Sequence, residues 1–368
     1  MVRSPAFRVV WPAVASAAAC LVFAGARLAA NAWDPKALAE LGTRYTLLEP
    51  NGTEGYDGQF TYMMALDLEP TAVGPHLDRP AYRYQRILLP VVARWLSFGD
   101  EPAIPWALLG VSVVSAAVGT AAVARWMLDR GLWEGYALGF GLWVGVVASA
   151  GLFLHEALAY GLVAVGWLAC RRGRPLWGAA ALGLALFAKE TTLPFWAAGF
   201  FVRGPDGHAD RRLRLGLAAS GVAFVLFQIW LLAAYGEVGL GSGGAMGTPF
   251  ELVPLMGFVR IGSVSPEALA LYALVFGPTI VLPALWAAVS GGVRLVGDRT
   301  QAEAWALLLN AGLILVVPFS TAREPLGLVR LATGLVLAVL LFAATHGRRR
   351  VLNYSLFWSA MLALLVRQ

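Results

Sequence analysis

Asp57, in the stretch Tyr56-Asp57-Gly58-Gln59-Phe60, is the acid whose setting most suggests chemistry. It lies in a polar segment between apolar runs. The ionisable residues that could join it are Arg83 and Arg86 in the same segment, then His155-Glu156, Lys189-Glu190, Arg323-Glu324 and Arg330. A carboxylate and several cations around one cavity can run a transfer with a phosphate leaving group. The carboxylate takes the proton of an acceptor hydroxyl, and the cations hold the charge that develops on the departing phosphate.

Each of these residues also has a plainer reading. Asp-Gly is an ordinary turn dipeptide. Glu156, Lys189 and Glu190 also read as an ion-pair network that pins helix ends. Arg323-Glu324 reads as a local pair at a helix start, with Pro325 in the first turn. Tyr82-Arg83-Tyr84-Gln85-Arg86 reads as the wet edge of an interfacial helix, where aromatics and arginines anchor at headgroups. Arg330 is harder to dismiss, because a charge inside an apolar run must find an anion. On a continuous helix it shares a face with Arg323, seven residues earlier.

The elements that must position these residues follow from composition. The chain has 368 residues, of which 59% are hydrophobic and 14% charged. A soluble domain averages about 25% charged, so the expectation is an all-α polytopic membrane protein. The net charge of +6 does not point to nucleic acid; arginines in short loops account for it. Cys20 and Cys170 both fall in apolar runs, so neither a disulfide nor a metal cluster is expected.

A spanning helix needs about 20 apolar residues. Runs of that kind cover 9–30, 104–128, 132–150, 213–235, 266–290, 303–320, 325–345 and 351–366, with shorter ones at 154–170, 175–188 and 191–202. Arg3 and Arg8 place the N-terminus inside, and a retained first span is expected rather than a cleaved signal, because further spans follow at once. The segment 31–99 is then an outer loop. Within it 87–98 reads as an interfacial amphipathic helix, with Arg86, Pro90, Arg94 and Ser97 as a polar stripe. Residues 175–202 read as a short helical hairpin that breaks at Lys189-Glu190, with Pro194 close by. Both choices leave the arginine clusters inside and give about eleven membrane segments, with the N-terminus in and the C-terminus out. The glycine-rich outer loop within 236–265 lacks a Gly-Lys-Ser/Thr ending and is no P-loop; it is either a lid or a flexible connection.

Tyr56-Asp57-Gly58-Gln59-Phe60, followed by Ala81-Tyr82-Arg83-Tyr84-Gln85-Arg86-Ile87-Leu88-Leu89-Pro90, resembles the first outer loop of bacterial multispanning GT-C-type glycosyltransferases of cell-surface glycopolymer formation. Leu186-Phe187-Ala188-Lys189-Glu190-Thr191 and Arg323-Glu324-Pro325-Leu326-Gly327-Leu328-Val329-Arg330 fit the same resemblance. It implies a plasma-membrane enzyme, active on the non-cytoplasmic face, that moves a sugar from a polyprenyl-phosphate or -diphosphate donor to a glycan or lipid acceptor with inversion. Asp57 matches the position of the base. Arg83, Arg86, Lys189, Arg323 and Arg330 are candidates for the carrier phosphate. Glu156 and Glu190 would orient cations or hydroxyls, with Tyr56, Gln59, Tyr82, Gln85 and His155 in support. No cofactor is implied. The first loop lacks the adjacent acid pair of some members, so use of a divalent metal stays open. Two other functions compete. A transporter or flippase needs His155, Glu156, Lys189 and Arg330 spread in depth along a path. A non-catalytic partner in polysaccharide assembly needs no such path.

Overall fold

The computed structural model describes residues 5–203, 208, 210–241 and 243–366; Arg3 and Ser242 lie outside them. The described residues form helices, turns and loops with no β-strand. Five helical stretches are long and apolar enough to cross a bilayer: Phe7–Ala30, Glu101–Leu128, Arg211–Tyr235, Pro266–Gly297 and Pro325–Thr345. The last lies at the centre, with 89% of its most apolar window buried, against 22% for Phe7–Ala30 and for Arg211–Tyr235. The two outlying helices leave Val10, Val14, Leu21, Val22, Leu215, Val222, Val225 and Ile229 exposed. Faces of that kind are compatible with a membrane protein, because lipid and not water then covers them.

Around the central helix, Ala302–Leu315 and Glu156–Arg171 pack against Thr333–Thr345, and Ile104–Leu128 packs against both Pro5–Ala30 and Glu156–Arg171. The last of these crossings is close because glycines meet there. A Cβ on Gly119 would lie 2.8 Å from the Gly161 Cα. Small residues let membrane helices approach to backbone contact.

Three expected spans are broken. Over 132–150 the chain makes a 3-10 turn at Glu134–Ala137, a helical turn at Leu138–Gly141 and a helix at Val144–Gly151, with Trp143 extended between the last two. Trp143 is fully buried, and its indole Nε1 donates to the Val329 carbonyl at 2.9 Å, so a tertiary bond holds the break. The 303–320 run divides into Ala302–Leu315 and Phe319–Arg323, and 351–366 into Arg349–Ser355 and a 3-10 segment, Leu356–Leu365. The helix Pro175–Ala188 ends where Lys189 turns extended; Glu190–Thr192 forms a 3-10 turn, and Leu193–Gly199 resumes with Pro194 in its first turn.

The 31–99 segment carries the helices Gly58–Leu66, Pro80–Tyr84 and Leu88–Leu96. Phe60, Met64, Leu77 and Tyr84 pack with Leu231, which fastens this segment to the Arg211–Tyr235 helix through a small core of its own. The polar stripe of 87–98 faces the protein interior. Arg86, Pro90 and Ser97 are buried, and Arg94 Nη1 donates to the Ala65 carbonyl at 3.1 Å, whereas Trp95, Leu96 and Phe98 are exposed. Arg94 thus finds its partners inside the protein, beside the buried Leu89 and Ala93.

Candidate active site

The stretch Tyr56–Phe60 is placed by its own side chains. Tyr56 N–H donates to the Glu40 carbonyl at 2.9 Å. Gln59 staples the same loop: its Oε1 accepts from Gly42 N–H at 3.0 Å and its Nε2 donates to the Glu54 carbonyl at 2.7 Å. Gly58 sits against the Leu152 carbonyl, where a Cβ would come within 2.1 Å of the oxygen. Any side chain there must push the loop outward. Gly58→Ala is therefore expected to destabilise the protein by about 1–3 kcal/mol through overpacking. Thermal unfolding in detergent indistinguishable from the native protein would contradict the close approach.

Asp57, directly ahead of the helix Gly58–Leu66, meets two arginines. Its Oδ1 lies 2.9 Å from Arg83 Nη1, and its Oδ2 accepts from Arg330 Nη1 at 2.6 Å. Arg83, at the end of the short helix that Pro80 begins, also grips Asp78 through Nε at 2.7 Å and Nη2 at 2.9 Å, and its guanidinium lies 4.3 Å from the Phe60 ring centre. Arg330 extends from Pro325–Leu331 and donates through Nε to Glu156 Oε1 at 2.8 Å and through Nη1 to Tyr56 Oη at 3.1 Å. The same Tyr56 hydroxyl donates to Glu324 Oε1 at 2.9 Å. Lys189 Nζ donates to the oxygen of Glu156 that Arg330 uses. Arg86 holds Glu190 with two bonds, 2.8 and 2.6 Å, and donates to Tyr82 Oη at 2.6 Å.

Four carboxylates (Asp57, Asp78, Glu156, Glu190) thus meet four cations (Arg83, Arg86, Lys189, Arg330), and their formal charges cancel. Asp57 is the most open of these eight side chains, at 29% exposure, against 0% for Glu156 and 6% for Arg330. The cluster is therefore most accessible at Asp57.

Burial pushes the Asp57 carboxyl up, but Arg83 and Arg330 outweigh it and hold the group far below the usual carboxylate range. The sign of the consequence is fixed. A carboxyl with a depressed folded pKa contributes stability that is present above its unfolded value of about 3.9 and is lost as pH falls below that value toward the folded one. Asp57 is therefore expected to stay ionised in the folded protein at about pH 4. Infrared difference spectra of native protein against Asp57→Asn should show no protonated-carboxyl band from Asp57 there; such a band would contradict the double clamp.

Not every residue expected at the site is bonded into it. Arg323 has no ion pair among the described residues, and because the chain turns extended at Glu324, Arg323 and Arg330 lie on separate helices. Arg323 is exposed, with its guanidinium 5.6 Å from the Phe319 ring centre. Arg323→Ala is expected to leave any Asp57-dependent activity within about twofold, as surface substitutions usually do; a loss as large as that of Arg330→Ala would restore it to the site. Gln59 is a positioning residue for the loop. His155 Nε2 is 3.1 Å from Thr61 Oγ1, and its buried Nδ1 has no partner among the described residues. Gln85 is buried with both side-chain amide atoms unpartnered among the described residues.

Sequence reading missed Asp78 and named Glu324 only beside Arg323, not as the partner of Tyr56. Asp78 carried a signal, since it stands two residues ahead of Pro80 and so next to the start of the helix that bears Arg83. The glycine-rich loop is also tied to the site. Ala245 N–H donates to Asp78 Oδ2 at 3.1 Å, and Arg79 pairs with Glu237 at 2.8 Å. Among the described residues no three His, Cys, Asp or Glu side chains are grouped as metal ligands would be. Compared with known families, with curated proteins and with solved structures, the chain matches none.

Proposed function

We propose that this protein is a membrane glycosyltransferase of GT-C type, with about eleven membrane segments, that moves a sugar from a polyprenyl-phosphate-linked donor to a cell-envelope acceptor on the non-cytoplasmic face. The observation that carries this reading is the carboxylate at the open edge of the cluster, clamped by Arg83 and Arg330.

Clamped in this way, Asp57 is a weak base. A phosphate arriving at the open edge competes for the same two guanidiniums, because it is equally able to accept their N–H bonds. As Arg83 and Arg330 turn toward the phosphate, Asp57 loses the charges that depress its pKa and becomes able to accept the acceptor's hydroxyl proton. The acceptor oxygen then bonds to the anomeric carbon from the face opposite the phosphate. The carbon–oxygen bond to phosphate breaks, its electron pair goes to the phosphate, and the arginines hold the new charge. Asp57 is left protonated and the sugar is inverted. In this reading substrate binding switches on the base.

His155, Glu156, Lys189 and Arg330 converge rather than spread, since Lys189 and Arg330 share one oxygen of Glu156. This favours transfer over transport along a path. A second reading, a non-catalytic partner in envelope polysaccharide assembly, is favoured by the pairing of every one of the four cations with a carboxylate, which a purely structural network also needs.

The test uses purified full-length protein in lipid nanodiscs, a panel of polyprenyl-phosphate hexoses and pentoses, and an envelope extract as acceptor. Protein-dependent release of polyprenyl phosphate is the expected result. Donor binding without release favours the second reading, and absence of binding across the panel removes the first.

A further inference from the structure

A second feature of the molecule is independent of the charged cluster. A groove of about 610 Å³ runs between the first helix and the C-terminal 3-10 segment. Val22 and Ala26 of the first helix, Val147, and Leu362 and Leu365 line its apolar length, and Arg27, Asn31 and Glu40 stand at its polar end. Arg27 is in the last turn of a helix long enough to cross a bilayer, so this end lies where lipid headgroups would be.

The chemistry of that end is specific. The Arg27 side chain is 10% exposed and pairs with Glu40 Oε1 through Nη2, yet its buried Nε–H has no partner among the described residues. A buried donor left unpaired is unfavourable and calls for an acceptor. Glu40, 36% exposed, uses only Oε1 among the described residues, which leaves Oε2 for a donor. Glu40 also holds a left-handed backbone (φ 49°), a conformation unusual for a glutamate. Among the described residues the groove thus ends in one unpartnered N–H and one unpaired carboxylate oxygen, on two side chains that are joined through Nη2 and Oε1.

We propose that this groove binds a zwitterionic glycerophospholipid with a primary amine, such as phosphatidylethanolamine. One acyl chain lies along the apolar wall, a phosphate oxygen accepts from Arg27 Nε, and the ammonium donates to Glu40 Oε2. A choline headgroup has no N–H to give to Glu40. A headgroup that carries only negative charge sets its charge against that carboxylate. The Glu40 carbonyl accepts from Tyr56 N–H, so the bound lipid also steadies the loop that ends in Asp57.

Delipidated full-length protein is offered phosphatidylethanolamine, phosphatidylcholine and phosphatidylglycerol of one chain composition, and retained lipid is counted by native mass spectrometry. The native protein is expected to retain phosphatidylethanolamine about tenfold over either of the others, the worth of one charge-assisted hydrogen bond. Glu40→Gln is expected to reduce that preference to about twofold, since a neutral hydrogen bond is weaker. Ala26→Trp fills the groove with Arg27 and Glu40 intact and is expected to abolish retention of all three. Equal retention of the ethanolamine and choline lipids by native protein overturns the proposal. So does a stronger hold on polyprenyl phosphate, which would make the groove a seat for the lipid carrier. If Glu40→Gln fails to assemble, the headgroup comparison on native protein and the Ala26→Trp variant decide.

Discussion

Asp57→Asn is expected to lower sugar transfer by about 10²- to 10⁴-fold, the span that a positioned general base contributes. Asparagine has nearly the same shape but cannot take the acceptor proton. The fold should survive the change, because neither arginine is stranded: Arg83 keeps both bonds to Asp78, and Arg330 keeps Glu156 and Tyr56. Donor binding should hold or improve, since the carboxylate that competes with phosphate for the two guanidiniums is gone. The measurement is release of polyprenyl phosphate alongside donor retention, with assembly checked by size-exclusion profile in detergent. Native turnover in a well-assembled Asp57→Asn protein would remove Asp57 from the chemistry, and weakened donor binding would remove the competition that makes the clamp a switch.

Glu156→Gln is expected to have the largest effect on stability, a loss of about 3–5 kcal/mol, as when one partner of a buried ion pair is removed. Glu156 is fully buried, and one of its oxygens carries both Lys189 and Arg330. Arg330 retains Asp57, but Lys189 has no other ion pair among the described residues, so the variant buries an uncompensated ammonium. The remedy follows from the same reasoning. Glu156→Gln combined with Lys189→Met removes the stranded charge and keeps the volume, and most of the loss should return. Thermal unfolding of the single and double variants in one detergent measures this. Equal destabilisation by both would mean that Glu156 acts through shape rather than charge.

These two expectations rest on different kinds of knowledge. Arg330 stood out in the chain because a lone charge within an apolar run is expensive and must be answered, and Asp57 stood out by the stretch Tyr56–Phe60 around it. Who answers them was not readable. Arg323 seemed a companion of Arg330 by helical spacing, but the backbone turns at Glu324, and Tyr56, 268 residues earlier, takes that glutamate instead. Asp78 was one acid among several in a polar loop until the Pro80–Tyr84 helix aimed Arg83 back at it. The 87–98 stripe was readable, but the protein interior that it faces was not. Spacing gives the width of a helical face and not its neighbour, and a membrane offers an apolar medium on the outside as well as the inside.

Composition alone determined that this chain is helical and built of apolar stretches compatible with a membrane, since so few charges cannot cover a water-soluble surface of this size. The local pattern also determined where the expensive groups fall along it. Tertiary structure alone decided that they cancel four against four, that Asp57 is the most open of them, and that Trp143 breaks an otherwise continuous apolar run for the Val329 carbonyl. The physical reason is range. Hydrophobic burial acts on averages over many residues and is written in composition, whereas an ion pair or a hydrogen bond needs two particular atoms within about 3 Å, and only the folded chain brings residues 57 and 330 to that distance.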